Sequence, residues 1–433
     1  FHEGVKDHQY RECLAVADEE GADAPLSLYF HLPFCERRCR FCGCHVVATK
    51  RREVADEYLS YLFAEIDLIA SLLTHRRRVV QLHWGGGTPT YLSPEAMEQL
   101  FARISGPFRL DEGAELAVEV DPRVTTRAHL DLLARLGFNR LSLGVQDFDP
   151  KVQEAIGRGQ THEQTRELLT AARQIGFSEG INFDLVYGLP LQSVDSFRVA
   201  LDKVVALGPD RLAVYSFAYV PWIRANQRKI DENELPTAEQ KLELYFTAYE
   251  QLTNAGYEPI GMDHFSMPDD ELAQATREGR LARNFMGYTV KPASAALAFG
   301  ISAISDLASG YFQNVKKLST YYRALDEGRL PIDRGYLLDR DDELRRYVIT
   351  EIMCNFRVDK RRVEERFGVD FDDYFALSLK KLDELREAGF VEEPDGLLRV
   401  SSKGRLFVRN VAMAFDRYLD EKLKQRPMFS RTV

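Results

Sequence analysis

Six strand-like runs, each followed by an amphipathic stretch, constrain this chain more than any other feature. The runs cover residues 26–32, 79–84, 115–120, 140–145, 180–187 and 211–217. Between them, residues 54–73, 96–104, 129–136, 165–175 and 193–207 carry apolar side chains at helical spacing. Strands that alternate with helices imply a parallel sheet, because parallel neighbours need a crossover between them. Rolled up, six such units give an α/β fold of the incomplete (β/α)6, TIM-like kind. The pattern alone also admits a doubly wound open sheet.

Motifs stand just after the strands. Four cysteines follow the first, Gly85-Gly86-Gly87-Thr88-Pro89 the second, and Glu119-Val120-Asp121-Pro122 closes the third. Gln146-Asp147 ends the fourth, Asp184 and Tyr187-Gly188-Leu189-Pro190 belong to the fifth, and residues 215–218 to the sixth. Strand C-termini share one face of such a barrel, and that face carries the chemistry. Residues 1–25 read as an N-terminal arm, incomplete because it starts at Phe1 and not at Met. Residues 26–338 read as the catalytic domain with an extension. From 339 to 433 the chain turns helix-rich and charged, with helices expected at 343–356, 361–367 and 377–388. A hairpin at 390–400 and a last helix at 403–418 complete a winged-helix-like order, read as a structural lid.

The cysteine loop, Cys35-x-x-x-Cys39-x-x-Cys42-x-Cys44, holds four of the six cysteines. Three thiolates at spacings of four and three suit three irons of a cubane iron–sulfur cluster. The fourth iron is then left open, as a radical enzyme needs if it is to bind and split S-adenosylmethionine (SAM). Zinc prefers paired cysteine arms across a longer loop; a four-thiolate electron carrier, with Cys44 as fourth ligand, stays open as an alternative.

SAM's amino group wants a carboxylate, and Glu119 at a strand end is the candidate. The triple glycine lets backbone approach a ligand closely. Phe41 would stack on adenine if it is not core. His31 precedes the cluster loop and reads either as a hydrogen-bond donor toward the site or as a satisfied core histidine. Arg37, Arg38, Arg40, Lys50, Arg51 and Arg52 suit a polyanionic substrate or a solvated loop equally, whereas Arg76, Arg77 and Arg78 read as solvated.

The runs Leu28-Tyr29-Phe30-His31-Leu32-Pro33-Phe34-Cys35, Leu82-His83-Trp84-Gly85-Gly86-Gly87-Thr88-Pro89-Thr90 and Gly144-Val145-Gln146-Asp147-Phe148 resemble the oxygen-independent coproporphyrinogen III dehydrogenase family. So do Glu119-Val120-Asp121-Pro122-Arg123, Gly261-Met262-Asp263-His264-Phe265, Cys354-Asn355-Phe356-Arg357 and Phe429-Ser430-Arg431, so the resemblance spans nearly the whole chain. It implies a radical SAM enzyme with a [4Fe-4S] cluster on Cys35, Cys39 and Cys42, Cys44 being present but not a ligand. It also implies two SAM molecules. Tyr29, Gly86, Glu119 and Ile304 would serve the cluster-bound one; Phe41, Gly87, Thr88, Gln146, Arg158, Asp184 and Ala218 would serve the second. Tyr29, His31 and Glu119 are the candidate catalytic side chains. The implied reaction converts two propionates of a tetrapyrrole to vinyl groups, with electrons from a low-potential donor such as flavodoxin or ferredoxin. One segment departs: Met286 stands where the family has a glutamine, and Ala293, Ser294, Ala295 and Ala296 replace an acidic stretch.

A net charge of -10 argues against a general nucleic-acid binder. No run is long and apolar enough to span a bilayer. Sparse cysteines and no visible targeting segment fit a monomer in a reducing cytoplasm. Competing readings are a radical SAM methyltransferase on another tetrapyrrole or polycyclic substrate, and a heme-delivery protein. Cys44 favours the dehydrogenase over the delivery branch.

Overall fold

The computed structural model describes residues 1–177 and 180–419; the run Phe429-Ser430-Arg431 lies outside the described residues. The described residues form two compact units, residues 1–256 with 291–337, and residues 257–290 with 338–419.

The first unit is built on six parallel strands: β1 (Leu26–Leu32), β2 (Arg78–Gly86), β3 (Arg109–Val120), β4 (Arg140–Gln146), β5 (Ile181–Tyr187) and β6 (Arg211–Ser216). They lie side by side in chain order. A doubly wound sheet reverses its strand order at a switch point; this one does not, so all the crossovers fall on one face and the sheet curls as a partial barrel. The sheet then extends past β1. A seventh strand, β7 (Ala295–Phe299), runs parallel to β1, and β8 (Ile304–Asp306), β9 (Gly310–Asn314) and β10 (Ile332–Leu337) follow antiparallel. The apolar Ala295–Phe299 segment is therefore sheet core, with Phe299 stacked on Phe30 at 4.6 Å between ring centroids.

The intervening helices begin where a short polar side chain can accept an orphan amide. Ser93, Thr126, Thr161 and Ser193 each cap the helix that follows, at Pro94–Ser105, Arg127–Arg135, His162–Ile175 and Val194–Leu207. Left-handed Gly176 and Gly208 close the last two of these.

The six strands alternate along their length. On one face Leu28, Phe30, Leu82, Trp84, Val118, Leu143, Phe183 and Val214 are almost fully buried. On the other stand Ser27, Tyr29 and His31, then Gln81 and His83, then Glu115 and Glu119, Ser142, Asn182 and Asp184. Parallel strands buried on both faces read as unbroken apolar runs; this alternation marks a barrel with a polar lining. The lining is hydrogen-bonded across strands: Ser27 to Gln81 at 2.8 Å, Gln81 to Glu115 at 2.7 Å, Ser142 to Asp184 at 2.9 Å and Asn182 to Ser142 at 2.9 Å.

The N-terminal arm holds a helix, Asp7–Asp18, whose Tyr10 and Leu14 are buried. Its last residue, Asp18, accepts the backbone N–H groups of Thr74, His75 and Arg76 at 2.7, 3.1 and 2.8 Å. Arg76, expected to be solvated, is fully buried. Its guanidinium donates to the carbonyls of Ala17 and Ala24 and to Ser294 Oγ at 3.0, 3.1 and 2.6 Å. Arg77 bonds the carbonyls of Ala70 and Leu73, and Arg78 pairs with Asp111 at 2.8 Å. Three adjacent arginines thus tie the turn before β2 to the rest of the unit.

The second unit has the helix–strand–helix–hairpin order of a winged helix. Helices Arg340–Asn355 and Lys360–Phe367 flank the strand Arg357–Asp359, which pairs with the hairpin strand Leu397–Val400. The helix expected at 377–388 is broken at Lys381 and Leu382 into two short pieces, Ala376–Lys380 and Asp383–Glu387, with Leu382 turned into the core. Residues 257–290, read from sequence as part of the catalytic domain, cluster instead with this unit. Ile260, Leu272, Leu281 and Tyr288 pack with Cys354, and Tyr288 Oη donates to the Met353 carbonyl at 3.1 Å. Met286 lies here, its N–H held by Asn284 Oδ1 at 2.9 Å in the turn between two short strands.

Candidate active site

The cysteine loop leaves β1 at its C-terminal end, beside the ends of β2, β3 and β4. Its three candidate ligands sit in different surroundings. Cys35 Sγ lies 3.3 Å from Thr88 Oγ1, and burial pushes its thiol up to about 11. Cys39 is buried and faces two guanidiniums, with Arg123 Nη2 at 3.9 Å and Arg158 Nη1 at 4.0 Å. Cys42 shares a thiol hydrogen bond with Cys44, which brings Cys42 down to about 6. Cys44 is exposed.

Arg123 and Arg158 are held by one carboxylate. Arg123 Nε donates to Asp121 Oδ1 at 2.9 Å, and Arg158 Nη2 stands 3.5 Å from Asp121 Oδ2. Burial would raise Asp121, but the two guanidiniums overcome it and hold the carboxyl down at about 2. Two cations against one anion leave net positive charge beside Cys39. The donor set therefore suits an iron–sulfur cluster: three thiols from one loop, with cations beside the middle one. Among the described residues, no three His, Cys, Asp or Glu side chains converge on a point for a single metal ion. A cubane gives each thiolate its own iron and requires no such convergence.

Glu119 ends β3 facing the glycine turn. Gly86 N–H donates to its Oε2 at 2.9 Å, and His83 Nε2 stands 3.4 Å from Oε1. Burial works to raise the carboxyl, but the His83 and Gly86 bonds prevail and hold it below the usual carboxylate range. It is an anion with a half-exposed edge. The three glycines each make room for a protein group. A Cβ on Gly85 would stand 2.7 Å from Glu119 Oε1, one on Gly86 2.5 Å from the His31 ring, and one on Gly87 2.5 Å from the Pro33 carbonyl carbon. Gly86 also has φ +112°, a left-handed value that favours glycine. The turn is thus fixed by close packing of the site's own residues.

His31 is the satisfied core histidine of the two sequence readings. Its Nε2 donates to the His45 carbonyl at 2.9 Å, so Nδ1, 3.0 Å from Tyr29 Oη, accepts that hydroxyl proton. Burial lowers the ring to about 4, so it is neutral. Burial likewise pushes the Tyr29 phenol up.

Gln146 ends β4 with φ +70°, an uncommon left-handed conformation for a non-glycine residue. It meets Arg158 over Gly144, where a Cβ would stand 2.9 Å from Gln146 Nε2 and 3.0 Å from Arg158 Nη2. Asp184, pushed up to about 6 chiefly by burial, lines the same polar face on β5. Phe41 packs on Val152, Ile156, Val186, Leu189 and Phe217. Ala218 follows β6 with an exposed side chain, and Ile304 opens β8 in the antiparallel extension. Thr88 touches Cys35, and Gly86 touches Glu119 and His31; Ile304 lies on β8, which pairs with β7, the neighbour of β1.

The arginine-rich loop resolves into two groups. Arg38 Nη2 donates to the Cys44 carbonyl at 3.0 Å, Arg40 Nη1 to that of Ala155 at 3.1 Å, and Arg52 lies 3.9 Å over the Tyr91 ring. These three brace the loop. Arg37, Lys50 and Arg51 are exposed. Sequence reasoning missed the roles of His83, Asp121 and Arg123. Asp121 and Arg123 stand two and four residues past Glu119 in one motif, and His83 shares the alternating polar face with Gln81.

A parallel partial barrel carrying this loop on its C-terminal rim defines a radical SAM enzyme, and residues 29–204 match the Radical SAM superfamily. Residues 338–407 match the HemN C-terminal domain. The chain belongs to the oxygen-independent coproporphyrinogen III oxidase family. It is 45% identical to the Synechocystis enzyme of that name over 94% of this chain and 88% of the relative. With the Escherichia coli K12 enzyme it shares 46% over 95% of this chain and 89% of the relative. A solved structure of coproporphyrinogen III oxidase (HemN) from Escherichia coli, described as a radical SAM enzyme, superposes with a TM-score of 0.93, at 45% identity, covering 97% of this chain and 95% of that one. A four-iron cluster and SAM are the cofactors of such enzymes. Among the described residues no helix is long and apolar enough to cross a membrane.

Proposed function

We propose that this chain carries out the oxygen-independent oxidative decarboxylation of coproporphyrinogen III, turning two propionates into vinyl groups on the way to heme. The observation that carries the reading is the cysteine loop on the strand C-terminal rim, with Cys39 set against two buried guanidiniums, in a chain that matches this family end to end. Cys35, Cys39 and Cys42 would hold the cluster. When bound, cluster and SAM supply a 5′-deoxyadenosyl radical that removes a propionate hydrogen.

The chain's own residues set the stage for that step. Glu119, kept anionic by His83 and Gly86, binds the α-ammonium of SAM by a charge-assisted bond. His31 keeps Tyr29 oriented by accepting its hydroxyl proton, so the Tyr29 ring presents a fixed edge. Gln146, Arg158 and Asp184 form the polar wall for a second SAM. Exposed Arg37, Lys50 and Arg51 attract the substrate's carboxylates. The enzyme works as a monomer in the cytoplasm and takes electrons from a carrier of the flavodoxin or ferredoxin type.

The test is anaerobic incubation of reconstituted enzyme with SAM, reductant and coproporphyrinogen III, read by mass spectrometry. Products that have lost carbon dioxide and gained vinyl groups support the reading. An unchanged substrate, with SAM still cleaved, overturns the substrate assignment.

A further inference from the structure

Four consecutive carbonyls of the cysteine loop, those of Cys39, Arg40, Phe41 and Cys42, are taken by two neighbouring side chains from far along the chain. Asn226 Nδ2 lies 3.1, 2.9 and 3.0 Å from the carbonyl oxygens of Cys39, Arg40 and Cys42. Gln227 Nε2 donates to the Phe41 carbonyl at 3.0 Å and to that of Ala218 at 3.1 Å. Both residues sit on a short 3-10 helix, Ala225–Lys229, in the connection after β6.

The orientation of both amides is determined. Gln227 is buried, and its Oε1 receives the Val220 N–H at 2.6 Å. Asn226 Oδ1 is buried without a hydrogen-bond partner. Turning that amide over would set its oxygen against three carbonyl oxygens, which costs more than leaving one acceptor unpaired. The two Nδ2 hydrogens therefore serve three acceptors. Within the loop, Cys42 N–H reaches the Cys39 carbonyl only at a long 3.4 Å. A loop with such weak internal bonding depends on outside donors for its shape.

We propose that Asn226 and Gln227 are positioning residues that hold residues 39–42 in their cluster-binding conformation before iron arrives. The proposal rests on the assignment of this loop as the cluster site. It adds that the ligand geometry is imposed from the β6 connection, so Cys39 and Cys42 are placed by a segment 187 and 184 residues away in sequence. Simple packing by Asn226 is the competing account, and the two differ in what a change of charge at constant shape would do.

Asn226→Asp keeps the shape, removes both donors and sets a carboxylate against three carbonyls. Asn226→Leu removes the donors without adding charge. Two measurements read the outcome. In the reconstituted holoenzyme, the rate of anaerobic iron loss to a chelator should rise about tenfold or more for Asp and less for Leu, tenfold being about 1.4 kcal/mol. In the iron-free protein, alkylation of buried Cys39 by iodoacetamide, followed by peptide mass spectrometry, should rise in the same order, while alkylation of Cys354 stays at the wild-type rate. If the Asp variant fails to fold, the Leu variant decides by the same two readouts. Wild-type rates for both variants, or for Leu alone where Asp does not fold, overturn the clamp and leave packing as its role. A wild-type protein that takes up no four-iron cluster overturns the site assignment instead; the iron-free alkylation comparison still decides the clamp.

Discussion

The two rims of the same partial barrel use charge in opposite ways. At the strand N-terminal rim, Asp18, Arg76, Arg77 and Arg78 spend their hydrogen bonds chiefly on backbone groups, with Ser294 and Asp111 as side-chain partners. Asp210 does the same, accepting the Ile181 N–H at 2.8 Å and pairing with Arg173 at 2.9 Å. At the C-terminal rim, Glu119, Asp121, Arg123, Arg158 and Asp184 are concentrated around the cysteines, and Gln146 holds an uncommon backbone conformation. One rim uses its charged groups to close the fold. At the other, Arg123 and Arg158 also reach backbone carbonyls, those of Arg158 and Gly144, but the same guanidiniums face Cys39, and Glu119 keeps an exposed edge. The lesson is that buried charge by itself does not mark a site; what its hydrogen bonds reach does.

This contrast predicts a clean separation of effects. The largest belongs to the cysteines. Cys35→Ala, Cys39→Ala and Cys42→Ala should each abolish the four-iron chromophore and SAM cleavage, with little change in the melting temperature of the iron-free protein. Cys44→Ala should keep most of its iron. Equal loss in the Cys44 variant, measured as iron per chain, would turn the loop into a four-thiolate carrier.

Next comes Arg76→Met, which leaves several buried carbonyls without a donor and removes a buried cation, at a cost of about 3–5 kcal/mol. Denaturant unfolding should show that loss, while whatever fraction folds binds iron normally. A variant that is fully stable but inactive would move Arg76 to the functional rim and break the contrast. Glu119→Gln is smaller: one charge-assisted bond to SAM is worth about 1.5–3 kcal/mol. SAM affinity should fall about 10- to 150-fold, with stability unchanged, by equilibrium binding to reconstituted protein. Unaltered affinity would place Glu119 with the structural carboxylates.

The smallest effect is in pH dependence, where Asp18 and Asp184 should act with opposite sign. Backbone N–H bonds hold Asp18 below its ordinary value despite burial. Its contribution is complete above the unfolded value near 3.9 and is lost as pH falls through the lower folded value. Asp184 is raised to about 6, so from roughly pH 4 to 6 the folded state holds a proton the unfolded chain has released. Stability from that residue falls as pH rises through the window. Asp184→Asn should flatten that decline and Asp18→Asn the acid-side loss, in unfolding curves of the iron-free protein. Matching slopes from the two variants would show that these two carboxylates are not shifted in opposite directions.

Much of the site was legible in sequence because it is local. The cysteine spacing lies within ten residues, and each motif follows a strand whose alternation marks its ends. Even the polar lining of the barrel can be read from the period of two in Ser27, Tyr29 and His31, and in Ser142 and Gly144. Arg76 was misread because three adjacent arginines look alike whether they meet water or the carbonyls of a distant arm. The glycine turn, read as letting backbone approach a ligand, also accommodates Glu119 of β3, His31 of β1 and Pro33 just past β1.

Sequence by itself determined the parallel α/β order, the place of the cysteine loop after the first strand and the polar face that follows from alternation. These depend on periodicity and on backbone connection rules that act over one or two elements. Only the tertiary structure decided that residues 295–299 join the sheet beside β1, that Asp121 holds two arginines against Cys39, and that Asn226 and Gln227 hold the loop that carries it. Each of those is a pairing between segments far apart in the chain. Their partners are chosen by which hydrogen-bonding groups are buried together once the barrel closes, and no local pattern records that choice.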